Sequence, residues 1–77
     1  MIKVTSNLKK IREQQGYTRT ELANLTSISG TCIRQIEDGK SMGNILTLID
    51  LAIGLHVKVG DLIKIEVEGF DVTSKYF

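Results

Sequence analysis

No proline interrupts this 77-residue chain, and one cysteine (Cys32) and one histidine (His56) are all it has of the residue types most used for metal ligation and nucleophilic chemistry. A lone cysteine closes no intrachain disulfide and builds no four-cysteine zinc site. The expected setting is therefore reducing, which points to the cytoplasm. His56 has no second histidine or cysteine near it in the sequence, so a metal site has no further ligands to use. No apolar run exceeds three residues, far short of a membrane span or a signal-peptide core. The chain also lacks a nucleophile–base arrangement, an obvious pair of carboxylates and a phosphate-cradling glycine motif. These absences argue against an enzyme, a cofactor or a dedicated small-molecule ligand.

What remains has the balance of one small folded domain, with 42% hydrophobic and 25% charged residues. A chain this short buries only about 60% of the surface its unfolded form exposes, so self-association would help it. Net charge is +1, but the charge is unevenly spread. Residues 1–40 hold seven Lys/Arg against four Asp/Glu, and residues 41–77 hold three against five. A basic first half on a near-neutral chain suits an anion-binding surface confined to one side.

Met1 to Thr5 alternates apolar and polar residues, a short strand pattern. Ser6-Asn7 offers an N-cap, and Leu8, Ile11 and Arg12 share one face of a first helix over residues 7–15, stopped by Gly16. Thr18-Arg19-Thr20-Glu21 forms a capping box, and Tyr17 and Leu22 form a hydrophobic staple across it. The second helix thus starts after Thr18 and ends near Thr26. Ser29 caps a third helix over about 30–38, with Ile28 and Ile33 as its staple and Gly39 as its stop. Two brief helices separated by a turn of three or four residues make a helix-turn-helix. Ala23 supplies the small residue that a close crossing needs. Lys40 to Gly43 is loop. Asn44 caps a fourth helix whose Ile45, Leu48, Ile49, Ala52 and Leu55 recur with helical period, and Gly54 loosens its last turn. A fifth short helix holds Val59, Leu62 and Ile63. From Lys64 the period becomes two, and Gly69 ends a strand. Ile2 and Val4 are expected to pair with Ile65 and Val67 as a small two-stranded ribbon.

Residues 8–63 resemble the Xre family, the lambda-repressor-like helix-turn-helix proteins. The resemblance is carried by Leu8, Arg12 and Gly16, then by Thr18, Glu21, Leu22 and Ala23. Ile28-Ser29 follows at the turn, then Ile33, Ile36, Glu37 and Gly39, then Leu48, Leu51, Ala52 and Leu55. Each element alone is weak; all in register with correct gaps make a strong signal. The resemblance implies an all-α, five-helix domain, with residues 7–63 as its core and 64–77 as strand and tail.

It also implies that Gly30, Thr31, Arg34 and Gln35 occupy positions where the family reads bases. Arg and Gln are suited to base edges, Arg34 to guanine and Gln35 to adenine, while Thr31 could meet a thymine methyl. The face opposite Ile33 and Ile36 carries no large apolar residue, as an ordinary solvated face would also not. Gly30 departs from the polar residue usual at its position and reads nothing through a side chain. Arg19 stands where glutamine opens the second helix in many relatives and is expected to touch the phosphate backbone. Its positive charge at a helix N-terminus is otherwise mildly unfavourable. Thr18, Thr20, Ser29, Lys40 and Ser41 are expected as secondary phosphate contacts, although capping alone accounts for Thr18 and Ser29. Arg12 and Glu37 match a structural ion pair of the family. Ser27 stands where the family prefers glycine between the two helices, which predicts either local strain at positive φ or a different turn. Cys32, in the first turn of the third helix, reads as a small packing residue rather than a redox sensor.

Three of the four aromatics, Phe70, Tyr76 and Phe77, fall in the last eight residues. Aromatics favour interfaces, so the strand and tail are expected to supply the dimer contact, or a swapped strand in a two-fold dimer. The function implied is a sequence-specific regulator of transcription, a repressor binding a near-palindromic double-stranded DNA operator as a homodimer. The competing reading keeps the fold but not the readout: an antitoxin or protein-interaction module.

Overall fold

The computed structural model describes residues 1–77. Strand β1 (Ile2–Ser6) leads into helices α1 (Leu8–Gln14), α2 (Arg19–Leu25), α3 (Gly30–Glu37), α4 (Ile45–Leu55) and α5 (Val59–Leu62). Strands β2 (Ile63–Val67) and β3 (Phe70–Asp71) and a last short helix, α6 (Thr73–Tyr76), follow. No helix is long and apolar enough to cross a membrane.

The helix starts lie where side-chain capping puts them. Thr18 Oγ1 accepts the Glu21 N–H at 3.1 Å while Glu21 accepts the Thr18 N–H at 2.9 Å, the reciprocal box that the Thr-x-x-Glu spacing predicts. Ser29 Oγ accepts the Cys32 N–H and Asn44 Oδ1 the Thr47 N–H. At α1 the side chain in use is Ser6, whose Oγ accepts the Leu8 N–H; Asn7 makes no side-chain cap. The Gln15 side chain reaches across to donate to the Leu55 carbonyl at 2.7 Å, tying the end of α1 to the end of α4.

The core gathers Leu8, Leu22, Ile33 and Ile36 around the inner face of α4 (Leu48, Leu51, Ala52, Leu55) and is closed by Leu62 and Ile63. Each large side chain so buried stabilises by roughly 1.5–3 kcal/mol. Within α4 the expected inward set is only partly right. Leu51 is fully buried, whereas Ile45 and Ile49 remain exposed. The buried stripe runs through Leu48, Leu51, Ala52 and Leu55, about a quarter turn from the face that Ile45 and Ile49 share.

The ribbon pairs antiparallel in the expected register, Ile2 with Val67 and Val4 with Ile65. The architecture is nevertheless larger than an all-α five-helix domain with two strands. It has six helices and a three-stranded sheet in the order β1-β2-β3. Glu68 (φ 52°) and Gly69 (φ 84°) form a two-residue reversal, the geometry that suits the twist of a hairpin. It pairs Val67 with Phe70 and Glu66 with Asp71. Beyond β3, the buried Thr73 replaces a strand partner: its Oγ1 accepts the Ile65 N–H at 2.7 Å and donates to Asp71 Oδ1 at 2.7 Å. The final residues therefore fold back on their own sheet.

Ser27 shows none of the strain its position suggests. The non-glycine residues at positive φ are His56 and Glu68. Asp50 Oδ2 accepts the Ser27 N–H at 3.0 Å, and Thr26 Oγ1, itself donating to the Leu22 carbonyl, accepts the Ile28 N–H. Side-chain acceptors bend the chain here in place of a left-handed glycine.

The close approach that requires glycine lies instead at Gly54, where an added Cβ would stand 2.7 Å from Thr26 Cγ2. Alanine in a helix ordinarily gains about 1 kcal/mol over glycine. Gly54→Ala is expected to lose that gain and destabilise by about 1–3 kcal/mol through overpacking. Gly30→Ala, where a Cβ meets nothing within 4 Å, is expected to stabilise by about 0.4–1 kcal/mol. Urea unfolding of both variants checks the contrast.

Candidate nucleic-acid interface

Helix α3 is amphipathic in the required sense. Ile33 and Ile36 are buried, Cys32 is half-buried against the core, and Thr31, Arg34 and Gln35 are exposed. Arg34 is 70% exposed, and its one ionic partner is Asp38, a turn away at 3.8 Å. An exposed i,i+4 pair of this kind contributes about 0.3–0.5 kcal/mol, so Arg34 can leave it at little cost. Gly30 has open space where a side chain would stand, so packing does not demand glycine there. Its N–H and that of Thr31 begin the helix, while Ser29 occupies the next N–H. A helix is about 10–12 Å across with its side chains, a width that a major groove about 12 Å wide admits.

On either side of α3 the remaining candidates separate into two groups. Lys40 and Ser41 are exposed just past its C-terminus. The Lys40 N–H bonds back to the Gln35 carbonyl, and Ser41 Oγ accepts the Gly43 N–H. At the other group, Thr18, Arg19 and Thr20 line one shallow concavity together with Lys9 and Arg12. Lys9 belongs to this set although no motif marks it; the signal available was its place three residues before Arg12 on the same helix.

Arg19 is the candidate whose role changes. Its Nε donates to Glu37 Oε1 at 2.9 Å, and its side chain is 37% exposed. Arg12 grips the same carboxylate with two bonds, Nε to Oε2 at 2.7 Å and Nη2 to Oε1 at 3.1 Å, and gives Nη1 to the Tyr17 carbonyl. The paired charges of Arg12 and Glu37 are thus a structural bridge, as the resemblance implies, and Arg19 is its third member. The unfavourable charge at the start of α2 is answered by a carboxylate of the neighbouring helix. Arg19 therefore binds inward first and presents only the outer part of its guanidinium.

Glu37 has no exposed side-chain surface. Burial by itself would push its carboxyl up, but hydrogen bonds from Arg12 and Arg19, with their charges, outweigh that and hold it below the ordinary carboxylate range. The same bond raises the Arg12 guanidinium further above its ordinary value, against the burial that would lower it. No cluster of three or more His, Cys, Asp or Glu side chains could hold a metal ion.

With a buried, doubly held carboxylate, a third helix that buries Ile33 and Ile36 while leaving Thr31, Arg34 and Gln35 exposed, and cations at both flanks, the architecture is that of a helix-turn-helix domain. The helix-turn-helix family profile matches residues 8–62, and the chain belongs to that family, in its Xre, lambda-repressor-like branch. It is also similar to the HTH-type transcriptional regulator SutR of Escherichia coli K12, 35% identical over 54 residues that make up 70% of this chain. The chain matches 30% of the length of that relative.

Because the folded carboxyl of Glu37 titrates below the unfolded one, the unfolded state binds the proton more readily and stability rises with pH through that window. The contribution is complete above the ordinary glutamate range and is lost as pH falls through the lowered value. Glu37→Gln leaves Arg12 buried without its counter-charge and is expected to lose about 3–5 kcal/mol near neutrality. The gap between wild type and variant narrows on acidification. Denaturant midpoints measured from neutral to acidic pH check both the size and the slope.

Proposed function

We propose that this chain is a sequence-specific, double-stranded-DNA-binding regulator of transcription that acts as a repressor and reads a near-palindromic operator as a homodimer. The observation that carries the reading is the outward face of α3, where Thr31, Arg34 and Gln35 stand exposed, hydrogen-bonding in type and nearly free of partners. Arg34 and Gln35 supply bidentate contacts to base edges and Thr31 a methyl for thymine. Lys40, Thr20, Ser41, Lys9 and the outer guanidinium of Arg19 position the domain on phosphates without reading sequence. Two copies of α3 set about 34–36 Å apart match successive major-groove faces of one side of the duplex. The work needs no cofactor and no catalytic group, and the reducing cytoplasm suits Cys32.

Selection of random duplexes by the purified protein, followed by sequencing, is expected to return a two-fold related site. On that site, Arg34→Ala and Gln35→Ala should each lose about 1–3 kcal/mol and relax selectivity at one position per half-site. Lys40→Ala should weaken all duplexes alike and reduce the salt slope by about one. Lys40 is a cleaner probe of phosphate contact than Arg19, whose removal also opens the Glu37 bridge. Retention of full selectivity by both α3 variants overturns the reading. So does absence of duplex affinity beside tight binding to a protein, the behaviour of an antitoxin or docking module.

A further inference from the structure

Helix α4 is apolar on two sides. Its inner stripe of Leu48, Leu51, Ala52 and Leu55 is buried, yet Leu46 is 74%, Ile53 68%, Ile45 50% and Ile49 39% exposed. Leu46, Ile49 and Ile53 recur at i, i+3 and i+7, which puts them on one continuous outer stripe with Ile45 at its margin. Leu25, half-exposed at the end of α2, lies beside this helix, its carbonyl 4.0 Å from the Cβ direction of Gly54. No element of the chain covers the stripe.

We propose that a second copy of this chain docks on the outer stripe of α4, the two α4 helices packing antiparallel across a two-fold axis. The choice of partner rests on the dimeric DNA reading above and specifies the surface that builds it. Area supports it first. Five branched side chains exposed to this degree make a patch on the order of 500 Å², at the upper end of what a monomer carries without an interaction role. Two such patches meeting bury on the order of 1,000 Å² from these side chains alone, the lower bound for a specific interface before any rim residue is counted.

Charge supports it second. Asp50 is the one ionisable residue of α4, and its carboxylate already accepts the Ser27 N–H. The stripe thus holds no cation for an acidic partner and, at its flank, a single carboxylate turned to the Ser27 N–H, so its centre is apolar and suits an apolar face such as its own. Antiparallel packing also aligns opposite helix dipoles. Position supports it third: α4 begins directly after the loop that leaves α3, where Gly43 lies against Ile36 and Thr47. A two-fold axis through α4 thus joins the two α3 helices through packed helix rather than through the tail.

The competing face is the outer end of the sheet, where Ile2 and Phe70 are exposed on the strands flanking Val67. The decisive experiment measures mass by sedimentation equilibrium over a concentration series, without DNA. It compares the wild type, the double variant Leu46→Glu/Ile53→Glu and the double variant Ile2→Glu/Phe70→Glu. All four positions are strongly exposed, so circular dichroism should show each variant folded. The wild type and the sheet variant are expected at the mass of two chains. The α4 variant should be a single chain, its dimer weakened roughly 100-fold or more. A two-chain α4 variant, a single-chain sheet variant or a wild type that stays a single chain throughout overturns the proposal. The α4 variant should still bind a duplex carrying one half-site as the wild type does. Failure of the wild type to bind any duplex overturns the DNA reading and leaves the mass result to judge the docking face.

Discussion

The arrangement of the three helices that form the site depends on one buried carboxylate. Glu37 ends α3, where the helix dipole already presents negative charge, and its side chain is shut away from water. A carboxylate in that position is strongly unfavourable unless charge and hydrogen bonds answer it. Arg12 from α1 and Arg19 from α2 do so with three bonds. The guanidinium fork of Arg12 fits both carboxylate oxygens only at one separation of α1 and α3, and its remaining amine on the Tyr17 carbonyl orients the entry to α2. A bridge this specific contributes less to net stability than to the angle between the helices of the motif.

That bridge decides which charges face outward. Arg12 is spent entirely inside and Arg19 in large part, so the cations left for a polyanion are Arg34 on α3, Lys40 beyond it and Lys9 on α1. This accounts for how a chain of net charge +1 can still offer a one-sided surface: Glu37 is neutralised within the fold, Lys9 and Lys40 keep their charges outward, and Arg34 is held only by an exposed pairing with Asp38. It also makes the exposed face of α3 sparse, with three side chains of reading type and a glycine at its start. In the proposed dimer, readout by so few groups would gain its selectivity from repetition across two copies.

Much of this was legible from local chemistry. The capping box of α2 and the Ser29 cap of α3 place helix starts because they satisfy specific orphan N–H groups, and they depend on residues a few positions apart. The ribbon register followed from period two in Ile63, Ile65 and Val67 set against Ile2 and Val4. The gaps arise where one side chain acts at long range. Nothing near Arg19 in sequence says that Glu37 lies beneath it. Thr73 serves as a strand partner to Ile65 only once the chain has reversed, and Glu68 in a left-handed conformation is not the residue that advertises a tight hairpin. The turn at Ser27 depends on Asp50, 23 residues away. In α4, where eight of eleven residues are apolar, period alone could not choose between two faces, and the structure buries the one that carries Leu48, Leu51, Ala52 and Leu55.

The ambiguity in α4 has a physical meaning. A helix apolar on one stripe needs one neighbour; a helix apolar around most of its circumference is a buried helix, whatever its position in an isolated subunit. In a domain of this size the core can cover only one side of α4, because the other helices are two to three turns long or shorter and already committed to Leu48, Leu51 and Leu55. Placing branched residues at Leu46, Ile49 and Ile53, rather than the polar ones an exposed helix face tolerates, leaves unfavourable hydration that only association removes. In the proposed dimer, the helix that closes the subunit core would also set the spacing of the two α3 helices. Stability, assembly and DNA geometry would then be coupled through the same eleven residues.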